Sequence, residues 1–353
     1  MIYILVGATS CFSAFVARYI YVNKIFTNFF FILSIIIPAG VAGTRYNNGA
    51  DYFLYMNIFK TISSGQEFFS VKELEPGFVS IVKFCTIISE SPVFMYSLIA
   101  FIIIFLYYKG VWENSPGYCF SILLFFLTGT YFDTFNGLRQ YVAAAILFWG
   151  MRYILAENLK KYFVVVLIAS TMHISSLFML PVYAISKFKF NLKQAIIIGV
   201  IIIFAGQYIF QAVTYLLQFT SYSYFLNSSE YFIKPTIGSI LYTSINTLII
   251  CIIFIIHRHR FSKHDWIYFN AQILTWYCTL LSFSIPLAAR LQYYFLPLEL
   301  LILPNLIEKI NSRYKFFVYF VVMVMYASIT ITGIVENNWY DCLPYNFYFD
   351  FHN

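Results

Sequence analysis

Charged side chains are scarce in this sequence. They make up 10% of its 353 residues, against 61% hydrophobic ones, whereas a water-soluble domain carries about 25% charge. Too few polar groups remain to clothe a surface in water, which excludes a soluble fold and makes lipid the solvent. Paired cysteines are lacking as well. Cys11, Cys85, Cys119, Cys251, Cys278 and Cys342 are scattered without a close pair, and five of the six sit in or beside apolar runs, where a free cysteine behaves as a small hydrophobe. A redox or thiolate-metal centre is excluded on that ground, and no paired-aspartate motif points to another metal. No basic segment precedes the first apolar run, Ile2 to Ala17, and no clear small-residue cleavage site follows it, so the run reads as a retained helix and not a signal peptide.

What is present in abundance is apolar length. Runs of the roughly 20 residues that a helix needs to cross about 30 Å of hydrocarbon recur from end to end. The expected spans are about 2–20, 26–43, 92–108, 118–132, 138–156, 194–217, 238–256, 266–285, 289–306 and 315–335. The fold class is therefore all-α: one polytopic transmembrane domain over residues 1–353 with about ten to twelve helices and two main extracytoplasmic loops, about 44–91 and 218–236. Only about 25 residues separate Lys161 from Lys187, too few for two full spans, and they are interrupted midway by Ser170, Thr171, His173, Ser175 and Ser176. A re-entrant hairpin over residues 162–186 with His173 near its tip fits this spacing; one complete span through His173 is the alternative. The short apolar stretch 76–90 contains Lys83 and reads as a helix at or dipping into the outer interface.

Basic residues set the expected orientation. Placing Arg18, Lys24, Lys109, Arg152, Lys160, Lys161, the cluster from Lys187 to Lys193, the cluster from Arg258 to Lys263, and Lys309, Arg313 and Lys315 in the cytoplasm puts 15 of the 22 Lys and Arg residues there and both termini outside. The tail after Gly333 agrees, since it carries Glu336, Asp341 and Asp350 with no Lys or Arg. Topology thus explains the net charge of +7, and a nucleic-acid partner is not expected.

Three arginines stand outside these clusters and fall on the outer side: Arg45 after the second span, Arg139 in FNGLRQY, and Arg290 in PLAARLQYYF. A guanidinium near lipid is costly, so it is usually paired or functional. Its planar fork also matches phosphate oxygens two at a time, which makes three convergent arginines a natural diphosphate clamp. The alternative is that each pairs with Asp51, Glu75, Asp133 or lipid headgroups. The first loop opens with TRYNNGADYFLYMNIF, which clusters Arg45, Asn48 and Asp51 at a membrane exit, and continues to KELEPGF with Glu75. Tyrosines in the second loop (SYSYFLNSSEY) have faces for stacking on sugar rings, although tyrosine also crowds membrane interfaces. His173 reads either as a general base or as a helix-breaking residue bonded to Ser170 or Ser176. His257 and His259 lie in the basic HRHR stop, where arginines repel a metal ion. Glu299 is a lone carboxylate inside an apolar span, either protonated structure or part of a cavity.

RYNNGADYFLYMNIF, LEPGF, FNGLRQYVAAAILFWG, TMHISSLFMLP and ARLQYYFLPLELLILP, in that order, resemble the EpsG-like family of polysaccharide polymerases, and more broadly the Wzy-type O-antigen polymerases. The resemblance covers nearly the whole chain. It implies a multi-pass protein of the bacterial plasma (inner) membrane that transfers a growing glycan from undecaprenyl diphosphate onto a lipid-linked repeat unit at the periplasmic face. Such a reaction needs cations at the departing diphosphate and a group to take the hydroxyl proton. Arg45, Arg139 and Arg290, with Asn48 and Tyr293 from the same motifs, are the expected diphosphate and substrate contacts; Asp51, Glu75 and His173 are the expected catalytic residues. The resemblance further implies no cofactor or essential metal, a lateral opening for the polyprenyl chain, and a separate chain-length regulator as partner.

Two other classes compete. A flippase or transporter of lipid-linked oligosaccharide would be expected to show internal repeats and mid-membrane charge, whereas no repeat is detected and the unexplained charges share one face. A ligase-like or acyl membrane transferase would keep the enzyme class and change the acceptor.

Overall fold

A computed structural model describes residues 1–65, 74–218 and 237–350. Among the described residues the regular elements are helical, and an isolated antiparallel bridge between Arg45 and Phe347 is the one strand-like pairing. In chain order the helices are α1 (Ile2–Tyr19), α2 (Lys24–Gly43), α3 (Tyr52–Ser63), α4 (Pro76–Ile88), α5 (Pro92–Asn114), α6 (Tyr118–Leu127), α7 (Thr130–Asp133), α8 (Leu138–Leu155) and α9 (Leu159–Met172). A 3₁₀ segment, Ile174–Met179, follows. Then come α10 (Val182–Ile185), α11 (Leu192–Leu217), α12 (Ile237–His257), α13 (Lys263–Leu281), α14 (Gln292–Phe295), α15 (Glu299–Ile307) and α16 (Ser312–Val335).

The all-helical, polytopic class expected from composition is what the chain adopts. Six described helices are long and apolar enough to cross a membrane: Ile2–Tyr19, Lys24–Gly43, Pro92–Asn114, Leu192–Leu216, Ile240–Arg260 and Ser312–Val335. Four other expected spans differ from that pattern. Residues 138–156 contain a helix of 18 residues, and 266–285 holds most of a 19-residue helix that starts at Lys263 and buries Asp265, Asn270, Gln272, Thr275 and Thr279. The stretch 118–132 is broken at Gly129, whose φ of +80° ends α6, a backbone state that costs glycine little. The stretch 289–306 is a chain of short helical turns, with Pro297 opening a 3₁₀ turn and Pro304 inside α15, because proline removes a ladder donor. The first long loop is also more ordered than expected from its sequence. It contains α3, whose Tyr52, Tyr55, Ile58 and Phe59 are buried, and α4, the short helix expected near 76–90. Residues 66–73 of this loop and 219–236 of the second, including the tyrosine-rich SYSYFLNSSEY, lie outside the described residues.

Read from sequence as one domain, the chain clusters into two compact units: residues 1–180 with 311–353, and residues 181–310. In the first unit, α1 packs on α2 through small residues, the means by which helices approach closely where no water drives them together. Ser10 Oγ donates to the Ser34 carbonyl at 2.8 Å and lies 2.8 Å from the Tyr108 hydroxyl. Along α5, about 34 Å long at 1.5 Å per residue, the two ends differ in chemistry. At one end, Glu113 pairs with Lys109 (3.3 Å) and Arg152 (3.0 Å), and Arg18 stacks on Trp112. These cations are among those grouped together from sequence on topological grounds. The other end carries the site described below. The chain reverses at His173, and the Tyr162 hydroxyl donates to the Met179 carbonyl at 2.8 Å, so the 3₁₀ segment folds back along α9.

In the second unit, α13 is central. Ser262 and Asp265 form a capping box at its start, Asp265 pairs with Lys309 at 2.9 Å, and the Asn270 amide donates to the carbonyls of Ile185 and Phe188 at 3.3 and 2.5 Å. That amide ties the turn after α10 to the helix.

Candidate active site

The LEPGF motif places a carboxylate at a helix start. Pro76 is the first residue of α4, where its missing N–H costs nothing, and it forces the preceding residue into extended backbone. Glu75 accordingly has φ −65° and ψ 138°, with its side chain free of any capping bond. Gly77 allows the next step. A Cβ there would lie 2.8 Å from the Thr171 carbonyl oxygen, so only glycine lets the first turn of α4 rest against the last turn of α9. That turn ends in His173, which is itself extended (φ −156°, ψ 119°) and stops the helix.

Glu75 and His173 therefore meet. His173 Nδ1 lies 2.9 Å from Glu75 Oε1, which also accepts the Ile174 backbone N–H at 3.1 Å. The second oxygen, Oε2, receives Arg139 Nη1 at 2.6 Å. All three side chains are largely buried, at 12% exposure for Glu75, 15% for His173 and 25% for Arg139. Burial alone would raise the Glu75 pKa. The His173 hydrogen bond, the Arg139 charge and the Ile174 N–H outweigh it and hold the carboxyl at about 2, so Glu75 is an anion at any physiological pH. Nδ1 faces that anion, so Nε2 is the ring nitrogen turned away from Glu75, and among the described residues Nε2 has no hydrogen-bond partner. The expected alternative, bonding to Ser170 or Ser176, is not what forms: Ser170 Oγ donates to Leu167 O, and Ser176 Oγ is buried without a partner.

Arg139 stands in the first turn of α8, and the turn before it is held from three sides. Asp51 Oδ2 accepts the Gly137 N–H at 2.8 Å, Asn136 Oδ1 receives the Asp51 N–H at 3.5 Å, and Arg45 Nη2 donates to the Phe135 carbonyl at 3.1 Å. A family model, the EpsG family, matches residues 28–347. The chain belongs to the EpsG family. No curated protein and no solved structure matches it. The matched range takes in the whole Glu75, Arg139 and His173 constellation of this EpsG family member, and Arg290 as well.

The remaining candidates of this EpsG protein are placed differently. Arg45 is 1% exposed and donates to the carbonyls of Ala42, Asn48 and Phe135, sandwiched between the rings of Tyr96 and Phe135 at 4.9 and 4.8 Å. Asn48 is equally buried; its amide donates to Cys342 O and Pro344 O at 3.1 and 2.7 Å and accepts the Asn346 N–H at 3.1 Å. These contacts, with Tyr46 N–H on Asn346 O and Gly49 N–H on Asp341 O, clasp the C-terminal tail onto the RYNNG turn. A polar cavity of about 290 Å³ opens beside the clasp, lined in part by Asn47, Asn338, Asp341 and Asn346. Arg290, exposed, and Tyr293, half-buried, belong to the second unit, in the 3₁₀ turn Pro286–Leu291 and in α14. Tyr55 is a residue that sequence reasoning missed: it is hydrogen-bonded to Arg139, and burial raises its pKa more than that cation lowers it, leaving a neutral phenol beside the guanidinium. Its signal lay in the four-residue step from Asp51, which a helix stacks on one face.

Proposed function

We propose that this EpsG family protein is a polysaccharide polymerase that joins lipid-linked oligosaccharide repeat units at the outer face of the bacterial plasma membrane. The observation carrying this reading is the buried Glu75, His173 and Arg139 constellation, which pairs an imidazole having one free nitrogen with a cation at the same end of the first unit. In the proposed reaction His173 Nε2 takes the proton from the acceptor sugar hydroxyl, and the resulting oxygen attacks the anomeric carbon of the donor glycan. The bond from that carbon to the diphosphate oxygen breaks, and the polyprenyl diphosphate leaves with the electron pair. Glu75, ionised and multiply bonded, orients His173 and stabilises its protonated form instead of accepting the proton itself. Arg139 supplies positive charge toward the departing diphosphate, and Arg290 is assigned a diphosphate contact of its own in the second unit. The amide-rich cavity beside the tail clasp suits sugar hydroxyls.

A deletion strain complemented with wild type or with Arg290→Ala tests this. Collapse of the surface-polysaccharide ladder to single repeats attached to the core lipid, restored by wild type and not by Arg290→Ala, is expected. Complete loss of attached repeats in the deletion strain would indicate a ligase, and repeats trapped in the cytoplasm would indicate a flippase.

Asp51 is assigned to positioning, because its carboxylate holds the Gly137 N–H that sets the turn before Arg139. Asp51→Asn retains an acceptor oxygen and is expected to keep most of the ladder, whereas Asp51→Ala shortens it at least tenfold in mean chain length. Equal loss in both variants would instead give Asp51 the proton-transfer role.

A further inference from the structure

The cavity beside the tail clasp offers more hydrogen-bonding capacity than the fold uses. It has a volume of about 290 Å³ and belongs wholly to the first unit, with Asn47, Asn338, Asp341 and Asn346 among its walls. The clasp engages Asn346 through its backbone alone: its N–H goes to Asn48 Oδ1 and its carbonyl accepts from Tyr46. Among the described residues the side-chain amides of Asn47 and Asn346 make no hydrogen bond. The Asp341 carboxylate accepts one long bond, from Asn338 Nδ2 at 3.5 Å, while Asn338 Oδ1 is anchored by the Leu343 N–H at 3.3 Å.

The backbone holds these groups in place at some cost. Asn47, Asn338, Tyr340 and Asp341 have φ of 50°, 44°, 72° and 48°, and they are four of the five non-glycine residues with positive φ among those described. Asparagine and aspartate tolerate that region, whereas a tyrosine in it needs its surroundings to hold it there. Asn136 Nδ2 supplies one such hold by donating to the Tyr340 carbonyl at 3.3 Å, and the Gly49 N–H supplies another by donating to the Asp341 carbonyl at 2.8 Å. A ligand entering so fixed a wall does not have to order it first.

The chemistry of the wall selects the ligand. None of the described residues lining the cavity is basic, so a phosphate or diphosphate would find no counter-charge there and would meet the Asp341 carboxylate. One carboxylate is too little charge for a divalent cation. Amides that both donate and accept match hydroxyl groups, which do the same, and Leu343 and Pro344 add an apolar wall for the C–H face of a ring. Gly49 and Ala50, also in the wall, lead directly into Asp51, whose carboxylate holds the turn before Arg139.

We infer that this cavity is a subsite for one neutral sugar residue of the glycan, and that Asp341 excludes acidic sugars from it. The inference rests on the polymerase reading for the identity of that glycan. The probe is the oligosaccharide repeat released from the producing strain's surface polysaccharide by partial acid hydrolysis. It is titrated onto full-length protein in lipid nanodiscs and followed by saturation-transfer difference NMR, which reports which sugar protons touch the protein. Asn47→Gly removes one amide and leaves a residue that takes positive φ freely; Asn346→Ala removes the other and keeps both backbone bonds of the clasp. The double variant should keep the wild-type melting temperature and bind the oligosaccharide about tenfold more weakly, the loss expected for two neutral hydrogen bonds. The proton signals it loses should belong to a sugar without a carboxylate or phosphate. No saturation transfer to wild type, full binding by the double variant, or lost signals on an acidic sugar would each overturn the subsite. Binding is read without turnover, so a normal ladder in the deletion strain would sink the polymerase reading alone.

Discussion

Replacing His173 by alanine is expected to collapse the surface-polysaccharide ladder to single repeat units, with a loss in elongation rate of roughly 10² to 10⁴ for removal of a positioned general base. Protein abundance in the membrane should change little. Glu75 would keep Arg139 on one oxygen and the Ile174 N–H on the other, so no buried anion is stranded. His173→Asn sharpens the test, because its amide still offers a donor to Glu75 but has no basic nitrogen. If elongation by His173→Asn equals that of wild type, the imidazole is not the base. Glu75→Gln should fall between: it can still accept from His173, but it no longer favours the charged imidazole. Since Glu75 is held at about 2, its carboxylate is ionised above that value and protonates only as the pH falls through it. A decline in rate between pH 7 and 5 therefore belongs to another group.

The membrane class and the approximate helix positions were legible because both follow from local properties, apolar length and the spacing of charge. The partners of the polar residues were not, because they are distant in sequence. Glu75 finds Arg139 64 residues away and His173 98 residues away, and Asn48 finds the carbonyls of Cys342 and Pro344 nearly 300 residues on. A turn rich in Asn and Gly beside an arginine reads equally well as a binding loop or as a clasp, and only the tail docked on it decides between the two. The broken helices at Gly129 and through Pro297 carried a local signal in the glycine and prolines, outweighed in a hydropathy window by the phenylalanines, leucines and isoleucines around them. Arg139 and Arg45 illustrate the same ambiguity: both are outer-end arginines in the sequence, but Arg45 is enclosed by backbone carbonyls while Arg139 pairs with Glu75.

That difference gives a prediction about two residues of identical chemistry. Arg45→Ala should reduce the amount of protein, and Arg139→Ala should reduce what the protein makes. Removing Arg45 leaves the carbonyls of Ala42, Asn48 and Phe135 without their donor in a fully buried site, at a cost on the order of 3 kcal/mol or more, and empties the space between the Tyr96 and Phe135 rings. A fall of at least about 4 °C in melting temperature is expected, with membrane abundance reduced severalfold. Arg45→Lys should rescue little, since one ammonium cannot reproduce a planar fork that serves three acceptors. Arg139 is partly exposed, and its loss leaves Glu75 bonded to His173 and to the Ile174 N–H. Arg139→Ala should therefore appear in the membrane at near wild-type level and yield only single repeats, with Arg139→Lys giving short chains at best. Quantitative immunoblotting and glycan gels on the same cells separate the two effects. Normal abundance with no polymer from Arg45→Ala would return that arginine to the diphosphate clamp, and long chains from Arg139→Ala would remove Arg139 from it.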